Sequence, residues 1–246
     1  MKAVRVYLNL YASCLRLAVR GIKKSPWTLL LPLGLFYTFH IAEPLLAPLG
    51  IVGGFLLALA LDAVYSCYLY FVGEVVSHSK VHLGELKKSF GAYFWSVLNL
   101  FFVLWVVRLV LNLVIARTPN AGTLSLAVWL LTLVVLNAAP EVIYLRGTRG
   151  GVDTIQRSVK FLQENWIEWF IPNLVGLAAL YFLLVEVVLK LPLPGFIASG
   201  LVGSAFFHLL MVFRGYLFRE LDGSSHRQRM FKFRVTQSGE GEEGRR

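Results

Sequence analysis

Charge is what this 246-residue chain has least of: only 15% of its residues are Asp, Glu, Lys or Arg, against about 25% in an ordinary soluble domain. No stretch is polar enough to form a separate soluble domain of the usual size, which excludes a globular enzyme held by an anchor. Cysteine occurs only at Cys14 and Cys67. One falls in an expected surface helix and the other inside an apolar run, so a disulfide framework is excluded. Catalytic signatures are missing as well. There is no His-Glu-x-x-His, no phosphate-cradling Gly-x-x-x-x-Gly-Lys and no Gly-x-Ser-x-Gly. The amino terminus also lacks a signal-peptide layout, because its charged part is long and no small-residue cleavage site follows the first apolar run.

What the chain does have is apolar length. Hydrophobic residues make up 57% of it, and the mean hydropathy is +0.66. The expected fold is an all-α polytopic membrane protein with about six transmembrane helices in three tandem hairpins. Each hairpin is expected to follow a cytoplasmic amphipathic helix. The spans fall at about residues 27–42, 49–76, 95–116, 123–145, 170–189 and 196–218, and proline-bearing turns at 43–48, 117–122 and 191–195 join them in pairs. The first run is short for a hydrocarbon core of about 30 Å. Residues 1–221 form the membrane domain in this reading, and residues 222–246 a disordered cytoplasmic tail.

The amphipathic segments are expected at 3–24, 80–93 and 152–164. In the last, Val152, Ile155, Val159 and Leu162 fall at helical spacing opposite Arg157 and Lys160, with Trp166 and Trp169 following as boundary aromatics. In the first, Val4, Leu8, Tyr11, Leu15, Ala18, Val19 and Ile22 accompany Arg16 and Arg20, ahead of Trp27. The middle one combines Leu83, Leu86 and Phe90 with Lys87 and Lys88, ahead of Trp95. Trp27, Trp95 and Trp166 are 68 and 71 residues apart, and each unit closes on a similar triplet: Phe71-Val72-Gly73, Leu145-Arg146-Gly147 and Phe213-Arg214-Gly215. These matches suggest a threefold internal repeat.

The formal charge is +10, and its placement decides its meaning. Of the 24 Lys and Arg residues, 21 fall on the face that carries both termini, leaving Arg117 and Lys190 opposite and Arg108 within a span. The positive-inside rule then makes both termini cytoplasmic. Anionic lipid headgroups, rather than nucleic acid, are the expected partners of these cations, because they adjoin membrane segments. Arg229 and Lys232, in a basic-aromatic stretch of the tail, extend the set.

Charges inside spans are costly and mark either function or fastening. Asp62 and Arg108 lie in consecutive spans, where an ion pair between them is the structural expectation and a polar pathway the functional one. Glu141 follows Pro140, at an expected kink. Together with His208 these are the candidates for a substrate or ion pathway, although a packed kink and a hydrogen-bonded core histidine are the plainer readings. His78 and His82 have i, i+4 spacing but no third ligand beyond Glu85, so no metal is expected, and no cofactor.

A resemblance rests on Ser89 to Trp95 and Thr154 to Trp166, with the Trp27 unit as a weaker copy. The pattern of amphipathic helix, Trp-led span, proline turn and returning span resembles six-span bacterial membrane proteins related to the membrane domain of some glycerophosphodiester phosphodiesterases. The catalytic domain of those enzymes has no counterpart here, so hydrolysis is not implied. The resemblance implies a bacterial inner-membrane protein connected with lipids or the envelope. The functional expectation is therefore a non-enzymatic envelope or lipid-associated component, with a membrane-protein partner or a second copy as candidate partners. The alternatives are a small transporter or channel using Asp62, Arg108 and Glu141, and an intramembrane enzyme.

Overall fold

The computed structural model describes residues 2–78, 81–187 and 195–224. The segment around Lys190 to Pro194 and the tail with Arg229 and Lys232 lie outside them. The described residues are helical almost throughout, with no strand among them. α1 (Lys2–Lys24) precedes the hairpin of α2 (Leu31–Leu46) and α3 (Gly50–His78). α4 (Leu86–Ser89) is one turn long and leads to α5 (Phe94–Ile115) and α6 (Ala121–Val135). The short α7 (Ala139–Glu141) continues into a wide helical segment, Val142–Arg146, before α8 (Gly151–Phe182) and α9 (Gly195–Asp222).

Five helical stretches are long and apolar enough to cross a membrane. The first, Pro26–His78, turns back on itself at Ala47–Leu49 and Gly50, and its two arms pack together, which makes six. This is an all-α polytopic membrane protein, as expected. Hydrocarbon offers no partner for backbone polar groups, so an apolar run satisfies them within its own helix.

The first hairpin departs from expectation in its length. α2 runs on through Pro44 to Leu46 and continues a tight helical turn over Pro26–Leu30, so the turn lies beyond the Glu43-Pro44 pair and the helical arm from Pro26 to Leu46 is longer than the run expected. Gly50 makes the turn with φ of +57°. A Cβ on Gly53 would lie 1.9 Å from the Leu46 carbonyl oxygen, so the returning helix starts where only glycine fits.

α1 packs along α9, and its Tyr7 and Tyr11 hydroxyls donate to the Glu168 side chain (3.3 Å) and carbonyl (3.1 Å) on α8. The buried stripe is Val6, Leu10, Cys14, Ala18 and Ile22, one residue per turn; it shares Ala18 and Ile22 with the apolar stripe expected at the membrane interface. Leu8, Leu15 and Val19 stay exposed, beside exposed Arg16 and Arg20. Small side chains let helices approach closely, whereas bulky apolar ones lose nothing by facing lipid. Burial pushes the Cys14 thiol up to about 12, and burial beside Glu168 pushes Tyr11 up to about 12.

The segment expected as an amphipathic helix over 80–93 is not one helix. Leu83–Glu85 is a tight turn, α4 ends at Ser89, and Gly91 takes φ of +86°. Lys87, Lys88 and Phe90 are exposed on this corner. The segment expected as a separate helix over 152–164 is continuous with the following span in α8, which bends at Asn165, whose φ is −135°. Its inward face again carries small residues, Gly151, Thr154 and Ser158, while Lys160 is exposed and Arg157 pairs with Asp153 at 2.7 Å. Gly151 packs on the Asn99 carbonyl, which a Cβ would approach to 2.4 Å.

The closing triplets are not equivalent in three dimensions. Gly73 and Gly215 press on opposite parts of the buried Tyr144 ring, whereas Gly147 ends its segment with φ of +66°.

Candidate functional site

Glu141 is fully buried, and its partner is Arg214 of α9. The Arg214 Nε donates to Glu141 Oε1 at 2.8 Å and Nη2 to Oε2 at 3.0 Å, a two-point pairing. The helix breaks between α6 and α7, just ahead of Pro140, and at this break the Asn137 carbonyl accepts from Arg214 Nη2. The guanidinium lies 5.0 Å from the centre of the Trp169 ring, whose Nε1 donates to Asn137 Oδ1 at 2.7 Å. Every group in this nest finds its charge or hydrogen-bond partner among the others, so it fastens α7, α8 and α9 together. Trp169, expected as a boundary anchor, is wholly buried here because a cation and an amide meet it. Trp95 and Trp166 are exposed, at 68% and 61%, as boundary aromatics would be. Trp27 is half-buried, edge-on to Phe71 at 5.2 Å, with Nε1 donating to the Val81 carbonyl at 3.4 Å.

His208 is also a fastener. The Thr28 hydroxyl donates to the Ser25 carbonyl at 2.8 Å, so it accepts from His208 Nε2 at 3.0 Å, which places the imidazole proton on Nε2. This joins α9 to the entrance of the first span. His78 pairs with Glu74 at 3.0 Å rather than with His82, and among the described residues no three potential ligands gather around a metal position.

Asp62 behaves differently. It is 8% exposed, and neither an ion pair nor a hydrogen bond joins it to any described residue. The expected pair with Arg108 does not form, because Arg108 is exposed on the outer surface of α5, seven residues before its end at Ile115. A long cationic side chain near a helix end is better served by reaching the polar boundary than by crossing to a neighbour. Asp62, Arg108, Glu141 and His208 are therefore not brought together.

Asp62 opens instead into a cavity of about 960 Å³ between the α2–α3 hairpin and α5. Leu35 contributes from α2, residues from Ile51 to Tyr65 from α3, and Leu98, Phe101, Phe102 and Trp105 from α5. Exposed Ile51, Phe55, Phe102 and Trp105 show that it is a groove open sideways at the surface that spanning helices present to lipid. Tyr65 meets Phe101 with ring centres 6.4 Å apart, which brings α3 and α5 together in this part of the groove. Asp62 and Tyr65 lie there, on consecutive turns of α3. The α5 residues were not singled out by sequence. Their i, i+3, i+4, i+7 spacing was the available signal, hidden because the whole helix is apolar.

Compared with protein-family models, curated proteins and solved structures, the chain matches none of them.

Proposed function

We propose that this is a non-enzymatic, multi-pass inner-membrane protein with both termini in the cytoplasm, which associates with lipid through its surface and its lateral groove. The groove carries this reading. Its volume of about 960 Å³ falls at the upper end of small-molecule sites, its walls are almost wholly apolar, and its mouth faces the acyl region. At the other end of the bundle, the exposed Leu8, Leu15 and Val19 of α1 lie beside Arg16 and Arg20. That combination suits an anionic cytoplasmic leaflet. The positive-inside count and the resemblance to six-span bacterial membrane domains support the same reading. Arg108, turned outward and joined to no described residue, gives no support to a pathway through the three intramembrane charges.

The test is photolabelling in nanodiscs with a phospholipid carrying a diazirine in its acyl chain. A Cβ on Gly54 meets nothing within 4 Å, so Gly54→Phe should fill the groove and leave the fold intact. Labelling of residues 98–105 should fall several-fold in that variant while its thermal unfolding stays unchanged. Equal labelling in both proteins would overturn the groove as a lipid-accessible site.

A further inference from the structure

An acyl chain accounts for the groove's apolar walls but not for the carboxylate of Asp62 among them. Counted along α3 from Gly50, Asp62 lies about 18 Å inside the hairpin turn, at about 1.5 Å per residue. A chain entering from that side would set its terminal methyl against a carboxylate, which stabilises neither. The groove that Asp62 enters is lined by five aromatic rings, Phe55, Tyr65, Phe101, Phe102 and Trp105. Aromatic faces are the negative part of the ring quadrupole and attract a cation that has shed its water. A bare metal ion would find too few oxygen ligands there, and among the described residues no cluster of metal-ligating side chains exists. A primary ammonium would leave donors unmet on apolar walls. A cation whose charge is covered by carbon substituents meets neither obstacle.

We infer that the groove binds a hydrophobic cation, a quaternary ammonium or phosphonium bearing alkyl or aryl groups, with its positive centre at Asp62 and its apolar body on the aromatic lining. The carboxylate is then compensated by the ligand in the way Arg214 compensates Glu141 within the protein. This rests on the groove being accessible from the membrane, as proposed above.

The probes are two ions of one shape and opposite charge, tetraphenylphosphonium and tetraphenylborate. Binding is measured by equilibrium dialysis to the full-length protein in zwitterionic-lipid nanodiscs, with empty nanodiscs subtracted. The phosphonium should bind saturably and the borate not above background. Asp62→Asn should weaken phosphonium binding by roughly tenfold or more, and Asp62→Glu should retain most of it. Equal binding of the two ions by the wild-type protein overturns the inference without recourse to any variant, as does unchanged affinity in Asp62→Asn. If acyl-chain photolabelling of the groove holds while phosphonium does not bind, this inference fails and the lipid reading survives. If neither occurs, both fail.

Discussion

Asp62 and Glu141 are both carboxylates inside spans, yet their surroundings differ at every point. Glu141 sits where a helix breaks; the break supplies the Asn137 carbonyl, α9 the arginine and α8 the indole, and each finds its partner among the others. Asp62 sits in the middle of an unbroken helix with no partner among the described residues, beside the lateral groove. A charge matched by the protein strengthens the fold, and its removal should be costly. A charge left unmatched gains nothing in the folded state, and this is the ground on which a ligand is proposed to supply the match.

The largest test of that contrast is at Glu141. Glu141→Gln leaves Arg214 buried without its counter-charge and should cost about 4 kcal/mol in unfolding free energy, measured by denaturant titration in detergent. The double variant Glu141→Gln/Arg214→Gln should recover more than half of that loss, since neither charge then lacks a partner. Simple addition of the two single losses would show that the groups are uncoupled.

The two neighbouring tryptophans of α8 sharpen the comparison on a smaller scale. Trp169 is fully buried under Arg214, so Trp169→Ala should cost about 3 kcal/mol in the same titration. Trp166 is 61% exposed, and Trp166→Ala should stay within about 0.5 kcal/mol in detergent. Similar losses at both sites would contradict the buried nest.

The smallest effect is expected at Asp62. Asp62→Asn removes a desolvated charge that no described residue matches, so stability should change by less than about 0.5 kcal/mol or rise slightly. A loss on the scale of Glu141→Gln would reveal a protein partner for Asp62 and break the contrast altogether.

Much of the helical framework was legible in the sequence, and the reasons are local. The turn near residue 120, the break at Pro140 and the boundary at Asn165 each follow from residues within a few positions of the event. Where local reading failed, one of two things intervened. The 80–93 segment has the right stripe for a helix, but Gly91 and the clamp of Val81 onto Ser25, whose Oγ accepts from the Val81 N–H at 2.9 Å, turn it into a corner. In α1 the apolar periodicity was read as a helix with one stripe toward the membrane interface, but the second row that packs on the bundle, Val6, Leu10 and Cys14, was not separated from it, because hydrophobicity does not distinguish a neighbouring helix from lipid.

The sequence by itself determined that this chain lives in a membrane as a bundle of helices. Long apolar runs must satisfy their backbone internally, and no long-range information is needed for that. Only the tertiary structure decided which charges meet. Glu141 and Arg214 are 73 residues apart and find each other through the packing of α7 on α9. Asp62 and Arg108, closer in sequence and opposite in sign, are turned away from each other by the faces that α3 and α5 present. Those faces are chosen by small residues, close helix contacts and hydrogen-bond partners, since apolar surface has no preference between protein and lipid.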